Sequence, residues 1–133
     1  MPNRDQIVTL VERYVAAVDA QDVEAATALF TEDGHQEDPI GDGPNIGHVA
    51  IMEFFEQSFS VPFGARLEGP VTVHGRFAAF RIRIEIAAGR SPFLILVSDL
   101  VEVSPDGRFS SLRAVPDSKA LGQETRSSRE ASG

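Results

Sequence analysis

Three side chains in this sequence pair acid–base chemistry with settings that alter it. Asp99 lies in the middle of the stretch Ser91–Val103, where Phe93, Ile95, Val97, Asp99, Val101 and Val103 alternate onto one face of an extended chain. All but Asp99 are apolar, and an ionised carboxylate in such a wall is strongly disfavoured unless paired. A buried Asp99 is therefore driven toward its neutral form, which donates a hydrogen bond. The competing reading puts Ser98 and Asp99 at a bulge or strand exit, with the carboxylate in water. Tyr14, the only tyrosine of the chain, falls on the apolar stripe of a helical pattern. Its phenol faces inward and needs a partner, which is either a backbone carbonyl in the core or a ligand. Asp38 precedes Pro39, which confines it to an extended backbone and fixes where its carboxylate points. It is either a base at the edge of a site or a solvated loop acid that caps a turn.

The elements that must position these groups follow from periodicity. Ile7, Leu10, Val11, Tyr14, Val15 and Val18 form one stripe of a first helix, with Asn3 and Gln6 as a cap pair. Asp22 caps a short second helix, Val23 to Phe30, ended by Thr31–Gly34. A short strand is expected at His35–Pro39, followed by a Gly- and Pro-rich loop, Ile40–Gly47. The third helix runs from about His48 to Phe59 on the apolar residues Ile51, Met52, Phe54, Phe55 and Phe59. From Arg66 the period becomes two: Val71 and Val73 mark one strand, and Phe80, Ile82, Ile84 and Ile86 line one face of Phe77–Ile86, opposite Arg81, Arg83 and Glu85. Turns at 87–90 and 104–107 bracket the Asp99 strand, and a last strand spans Arg108–Val115. This pattern predicts an α+β fold in which three N-terminal helices pack on a curved, mainly antiparallel β-sheet, a cone with a pocket between the layers. Residues 1–116 are expected to form one domain and 117–133, rich in Ser, Arg and Glu, a disordered tail.

Composition narrows the chemistry further. Twelve basic against 20 acidic residues give a net charge of −8, which disfavours nucleic acid and anionic membranes as partners. No run is long and apolar enough for a membrane span, and the N-terminus leads into an amphipathic pattern rather than a signal peptide. The absence of cysteine removes disulfides and thiolate chemistry and fits a cytoplasmic location. His35, Glu37 and Asp38 suggest metal ligands, but in an extended segment 35 and 37 point one way and 38 the other, so no metal site is expected. His48 and His74 lack an acidic or hydroxyl partner in the sequence and are expected at the surface.

With these residues in place, the segments Arg13–Ala17, Glu37–Gly41 and Glu53–Ser58, and Asp99 in its apolar strand, resemble the bacterial Δ5-3-ketosteroid isomerases (steroid Δ-isomerases) of the nuclear-transport-factor-2-like (SnoaL-like) superfamily. The resemblance runs from about residue 5 to residue 114, and its specific part is the spacing from Tyr14 to Asp38 to Asp99. It implies a cofactor-independent isomerase that moves a steroid C5–C6 double bond to C4–C5 by proton transfer from C4 to C6 through a dienolate. Asp38 would then be the general base, and Tyr14 and Asp99 the donors to the C3 oxygen; this family is the standard worked case of a carboxylic acid kept neutral at neutral pH. Val18, Phe54, Ile82, Ile84, Ile95, Val97 and Ala114 would line the pocket of an apolar, steroid-like molecule, and the assembly would be a homodimer. Phe30 and Phe55 stand where relatives carry supporting tyrosines, and Pro116 where they carry an aromatic near the pocket mouth. The alternative is a non-catalytic sterol- or polyketide-binding protein on the same fold.

Overall fold

The computed structural model describes residues 1–86 and 93–117. Helix α1 (Arg4–Ala20) begins at a reciprocal cap: Gln6 N donates to Asn3 Oδ1 (2.9 Å) and Asn3 N to Gln6 Oε1 (2.8 Å). Its buried face contains the whole expected stripe, Tyr14 included. Helix α2 (Val23–Ala28) is capped by Asp22, whose Oδ1 accepts from Ala25 N at 3.0 Å.

The second helix stops two residues short of Phe30, which instead opens strand β1 (Phe30–Glu37). Phe30 is fully buried and pairs with Phe109 of the last strand, and Phe109 N donates to Leu29 O (2.8 Å). A long-range ladder thus outcompetes continuation of the helix, and it carries the chain directly toward Asp38. After β2 (Asn45–Ile46) come α3 (His48–Ser58), β3 (Phe63–Leu67), β4 (Thr72–His74), β5 (Phe77–Ile86), β6 (Phe93–Val103) and β7 (Phe109–Pro116). Strand β3 begins three residues earlier than the period-two pattern indicated.

The sheet order is β2-β1-β7-β6-β5-β3, with β4 also on β5. Among the described residues only β1–β7 is parallel, and the other pairs are antiparallel. The architecture is the expected α+β one, helices packed on a curved open sheet. Its core joins α1 (Ile7, Val11), α3 (Ile51, Phe55) and the inner sheet face (Phe80, Val101, Phe109, Leu112). No helix among the described residues is long and apolar enough to cross a membrane. The expected turn at 87–90, the first two residues of the Asp99 stretch and nearly all of the expected tail lie outside the described residues.

Candidate active site

Asp99 belongs to the inner face of β6. Val97, Asp99, Val101 and Val103 are buried while Ser98 and Leu100 are exposed. The register shift in β6–β7 falls between Glu102 and Val103, beyond Asp99, whose partners Phe80 and Ala114 are in regular register. The bulge reading is therefore removed. Asp99 is 4% exposed, and its Oδ1 is buried without a hydrogen-bond partner among the described residues. Burial, and then the charge of Asp38, push its carboxyl well above the ordinary range. The apolar setting thus favours the neutral, hydrogen-bond-donating form of Asp99 over the carboxylate.

Tyr14 is held by aromatic edges. Phe109 lies at 5.5 Å between ring centroids, Phe30 at 6.2 Å, Phe80 at 6.3 Å and Phe55 at 6.4 Å. Phenylalanine at 30 and 55 offers the phenol no hydroxyl relay. Burial first, then the nearby Asp99 and Asp38, raise the Tyr14 phenol well above its usual value, so it too stays a donor.

Asp38 sits just past the end of β1 and is only half-buried. Burial raises its carboxyl from 3.8 to about 6. Asp99 is the more deeply buried of the two acids, and burial is the first cause of the upward shift in both. The loop after Asp38 is tied down on several sides. Glu37 Oε2 accepts from Gly41 N (2.9 Å) and Gly43 N (3.1 Å), Ile40 N donates to Ala114 O (2.8 Å), and Asn45 Nδ2 donates to Gln36 Oε1 (2.8 Å). Gly41 and Gly43 adopt φ of 100° and 88°, which only glycine takes without strain. These two amides, with Arg113 3.6 Å away, hold the Glu37 carboxyl below the usual range. The residue that the sequence presents as a metal-ligand candidate is the anchor of the loop carrying Asp38.

All three ionisable residues line one cavity of about 170 Å³ between α1, α3 and the sheet. Its walls include six of the seven expected lining residues: Val18, Phe54, Ile82, Ile84, Ile95 and Val97. The seventh, Ala114, does not reach it. Ala114 is 1% exposed and packs beside Asp99 on β7, where its carbonyl anchors Ile40. That backbone bond ties the loop after Asp38 to β7. The sequence reading missed Phe55, Ser58, Phe59, Val61, Phe63 and Ile86 as lining. Ile86 was legible, since it shares the Ile82–Ile84 face; Val61 and Phe63 lie in a segment whose periodicity carries no signal. Pro116 pairs with Val97 at the end of β7 and is not among the described lining residues.

His48 corrects another expectation. It is half-buried, and its Nε2 lies 2.9 Å from Phe30 O, so it ties α3 to the start of β1. The sequence could not show this because the partner is a backbone carbonyl 18 residues away. His74 is exposed as expected. Among the described residues no group of three or more His, Cys, Asp or Glu could hold a metal ion.

Helices that close one side of a curved sheet over an apolar cavity with a few convergent polar groups define a small α+β pocket protein. Residues 11–112 match the family model of the SnoaL-like domain, and the chain belongs to that family. It is 30% identical over 109 residues to a steroid Delta-isomerase of Nocardioides simplex, a match covering 82% of this chain and 88% of that protein. Among solved structures it is similar to SalBIII, an epoxide hydrolase/cyclase-like enzyme described for its role in pyran ring formation in the polyether salinomycin. That likeness has a TM-score of 0.82 at 23% identity, covers 92% of this chain and 98% of the other, and bears on the fold alone.

Proposed function

We propose that this protein is a cofactor-independent steroid Δ-isomerase acting on 3-oxo-Δ5-steroids or close relatives. The observation that carries the reading is one apolar cavity lined by Asp38, whose carboxyl burial raises to about 6, and by Tyr14 and Asp99, which burial pushes toward their protonated, donating forms. In this scheme Asp38 takes a proton from C4 and returns it at C6. As the C3 carbonyl becomes a dienolate, its oxygen gains charge and its hydrogen bonds to Tyr14 and Asp99 strengthen. Donors preorganised in a dry site stabilise that charge without reorganisation. The orphaned Asp99 Oδ1 is consistent with a carboxyl whose partner is the substrate. The 30% identity to a steroid Delta-isomerase supports the same reaction. The reading includes a homodimer, as the resemblance implies, and a cytoplasmic location, which the cysteine-free composition fits.

The test is conversion of 5-androstene-3,17-dione to its conjugated enone by the purified protein, followed by the growth of enone absorbance. Because Asp38 must be ionised to act, kcat/KM is expected to rise with pH, reach half its plateau near about pH 6 and stay level above it. Steroid binding with no enone formed would remove the isomerase and leave the second reading, a binding protein that uses Tyr14 and Asp99 for orientation.

Glu37 offers a further check on the role of Asp38. Glu37→Ala releases the amides of Gly41 and Gly43 and so loosens the placement of the base. A small misplacement of a reacting group costs on the order of 10- to 100-fold in rate. Steady-state kinetics are expected to show that loss in kcat with KM little changed; a loss confined to KM would contradict the anchoring role.

A further inference from the structure

One side chain joins the end of α1 to the segment between α3 and β3. Gln21 adopts φ 53° and ψ 41°, and is the only non-glycine residue at positive φ among the described residues. Glycine is the usual occupant of this position after a helix, and a longer side chain there is strained. The strain is accompanied by three hydrogen bonds to distant backbone. Gln21 Nε2 donates to Val61 O (2.7 Å) and Phe59 O (3.1 Å), and Gln21 Oε1 accepts from Phe63 N (3.3 Å). Asp19, two residues earlier, accepts from Ala65 N at 2.9 Å.

The clamped residues are cavity residues. Phe59, Val61 and Phe63 all line the cavity that holds Tyr14 and Asp99. Val61 is 48% exposed, which marks this segment as part of the open end. Phe59 connects it inward, at 5.1 Å from Phe55 and 5.7 Å from Phe63 between ring centroids. Gln21 follows Tyr14 by two turns of α1, about 10 Å along the helix axis. Through Phe55, 6.4 Å from Tyr14, Phe59 joins the clamped segment to the donor end, so a longer ligand held at Tyr14 and Asp99 meets more of that segment.

We propose that Gln21 is a specificity-determining residue: by holding residues 59–63 at the open end of the cavity, it favours extended apolar ligands over short ones with the same polar headgroup. An ordered wall presents its apolar surface without a further loss of chain entropy on binding, whereas a released one must be ordered by the ligand. The proposal rests on the cavity being the ligand site and not on the isomerisation step.

Equilenin and 2-naphthol share a naphthol headgroup, but only equilenin carries two further fused rings, so the pair reads the open end separately from the donors. Their dissociation constants are measured by fluorescence for the wild type, Gln21→Gly and Gln21→Glu. Glycine relieves the positive φ, so the first variant removes the clamp without straining the backbone. Glutamate retains an acceptor for Phe63 N but cannot donate to Phe59 O and Val61 O. In both variants equilenin is expected to weaken about five-fold or more, with 2-naphthol changed less than about two-fold. Unchanged or tighter equilenin binding, or equal weakening of both phenols, would overturn the proposal. If the wild type binds neither phenol, the ligand-site reading falls and the clamp proposal falls with it; normal wild-type binding with unaltered selectivity in the variants removes the clamp alone.

Discussion

Asp38→Asn is expected to lower turnover by about 10²- to 10⁴-fold, the contribution of a positioned general base, while affinity for a phenolic steroid that mimics the dienolate is kept. The amide has nearly the shape of the carboxylate but cannot accept the C4 proton. The same substitution is expected to stabilise the fold, with a pH dependence set by the sign of the Asp38 shift. The carboxyl is raised from 3.8 to about 6 on folding, so between those values the folded protein holds the proton more tightly than the unfolded chain. Stability contributed by the neutral acid is complete below the unfolded value and is lost as pH rises through about 6. Asparagine does not titrate, so its advantage is absent in acid, grows across that window and is complete above it. The gain reaches at most about 3 kcal/mol, lessened by the water that reaches this half-buried group. Chemical denaturation at acid and alkaline pH measures the gain; near-normal turnover would remove Asp38 as the base.

The second large effect separates donation from charge at Asp99. Loss of one preorganised donor to an oxyanion costs on the order of 10²–10³ in rate, and Asp99→Leu is expected to show that loss. Asp99→Asn keeps an N–H donor on the same strand position and is expected to retain clearly more activity than leucine. Equal losses would mean that Asp99 acts as an anion, against the direction in which burial pushes it. Stability runs the other way. The leucine fills an apolar face and removes a buried oxygen that lacks a partner among the described residues, so Asp99→Leu is expected to be the more stable protein. Its carboxyl is raised on folding, so wild-type stability falls as pH climbs above the ordinary carboxylate range. The leucine variant lacks that fall, and unfolding curves at pH 5 and pH 8 distinguish the two.

Much of this arrangement was legible because strand and helix periods are local. The stripe from Ile7 to Val18 puts Tyr14 inward, and alternation along 93–103 offers Asp99 a buried face, which the regular register of β6 selects over the bulge. Periodicity puts Ile82 and Ile84, and Ile95 and Val97, on shared strand faces, while their place in a pocket wall comes from the resemblance; β5 and β6 keep a regular register along their whole pairing. Where the reading failed, a partner far along the chain made the decision. Phe30 left the second helix for a ladder with Phe109, and His48 found the Phe30 carbonyl. Val61 and Phe63 are wall residues whose backbone is hydrogen-bonded to Gln21, 40 and 42 residues away.

The sequence by itself determined the composition of the chemistry: one inward phenol, one acid in an apolar strand, one acid fixed before a proline, and no thiol. Residue type and local period are enough for that, since burial of a face follows from alternation alone. Only the tertiary structure decided that the three line one cavity, that the loop after Asp38 is pinned by Glu37 and Ala114, and that Asp99 is buried more deeply than Asp38. Those properties depend on desolvation and on distances between elements far apart in the chain, and neither is encoded in any local window.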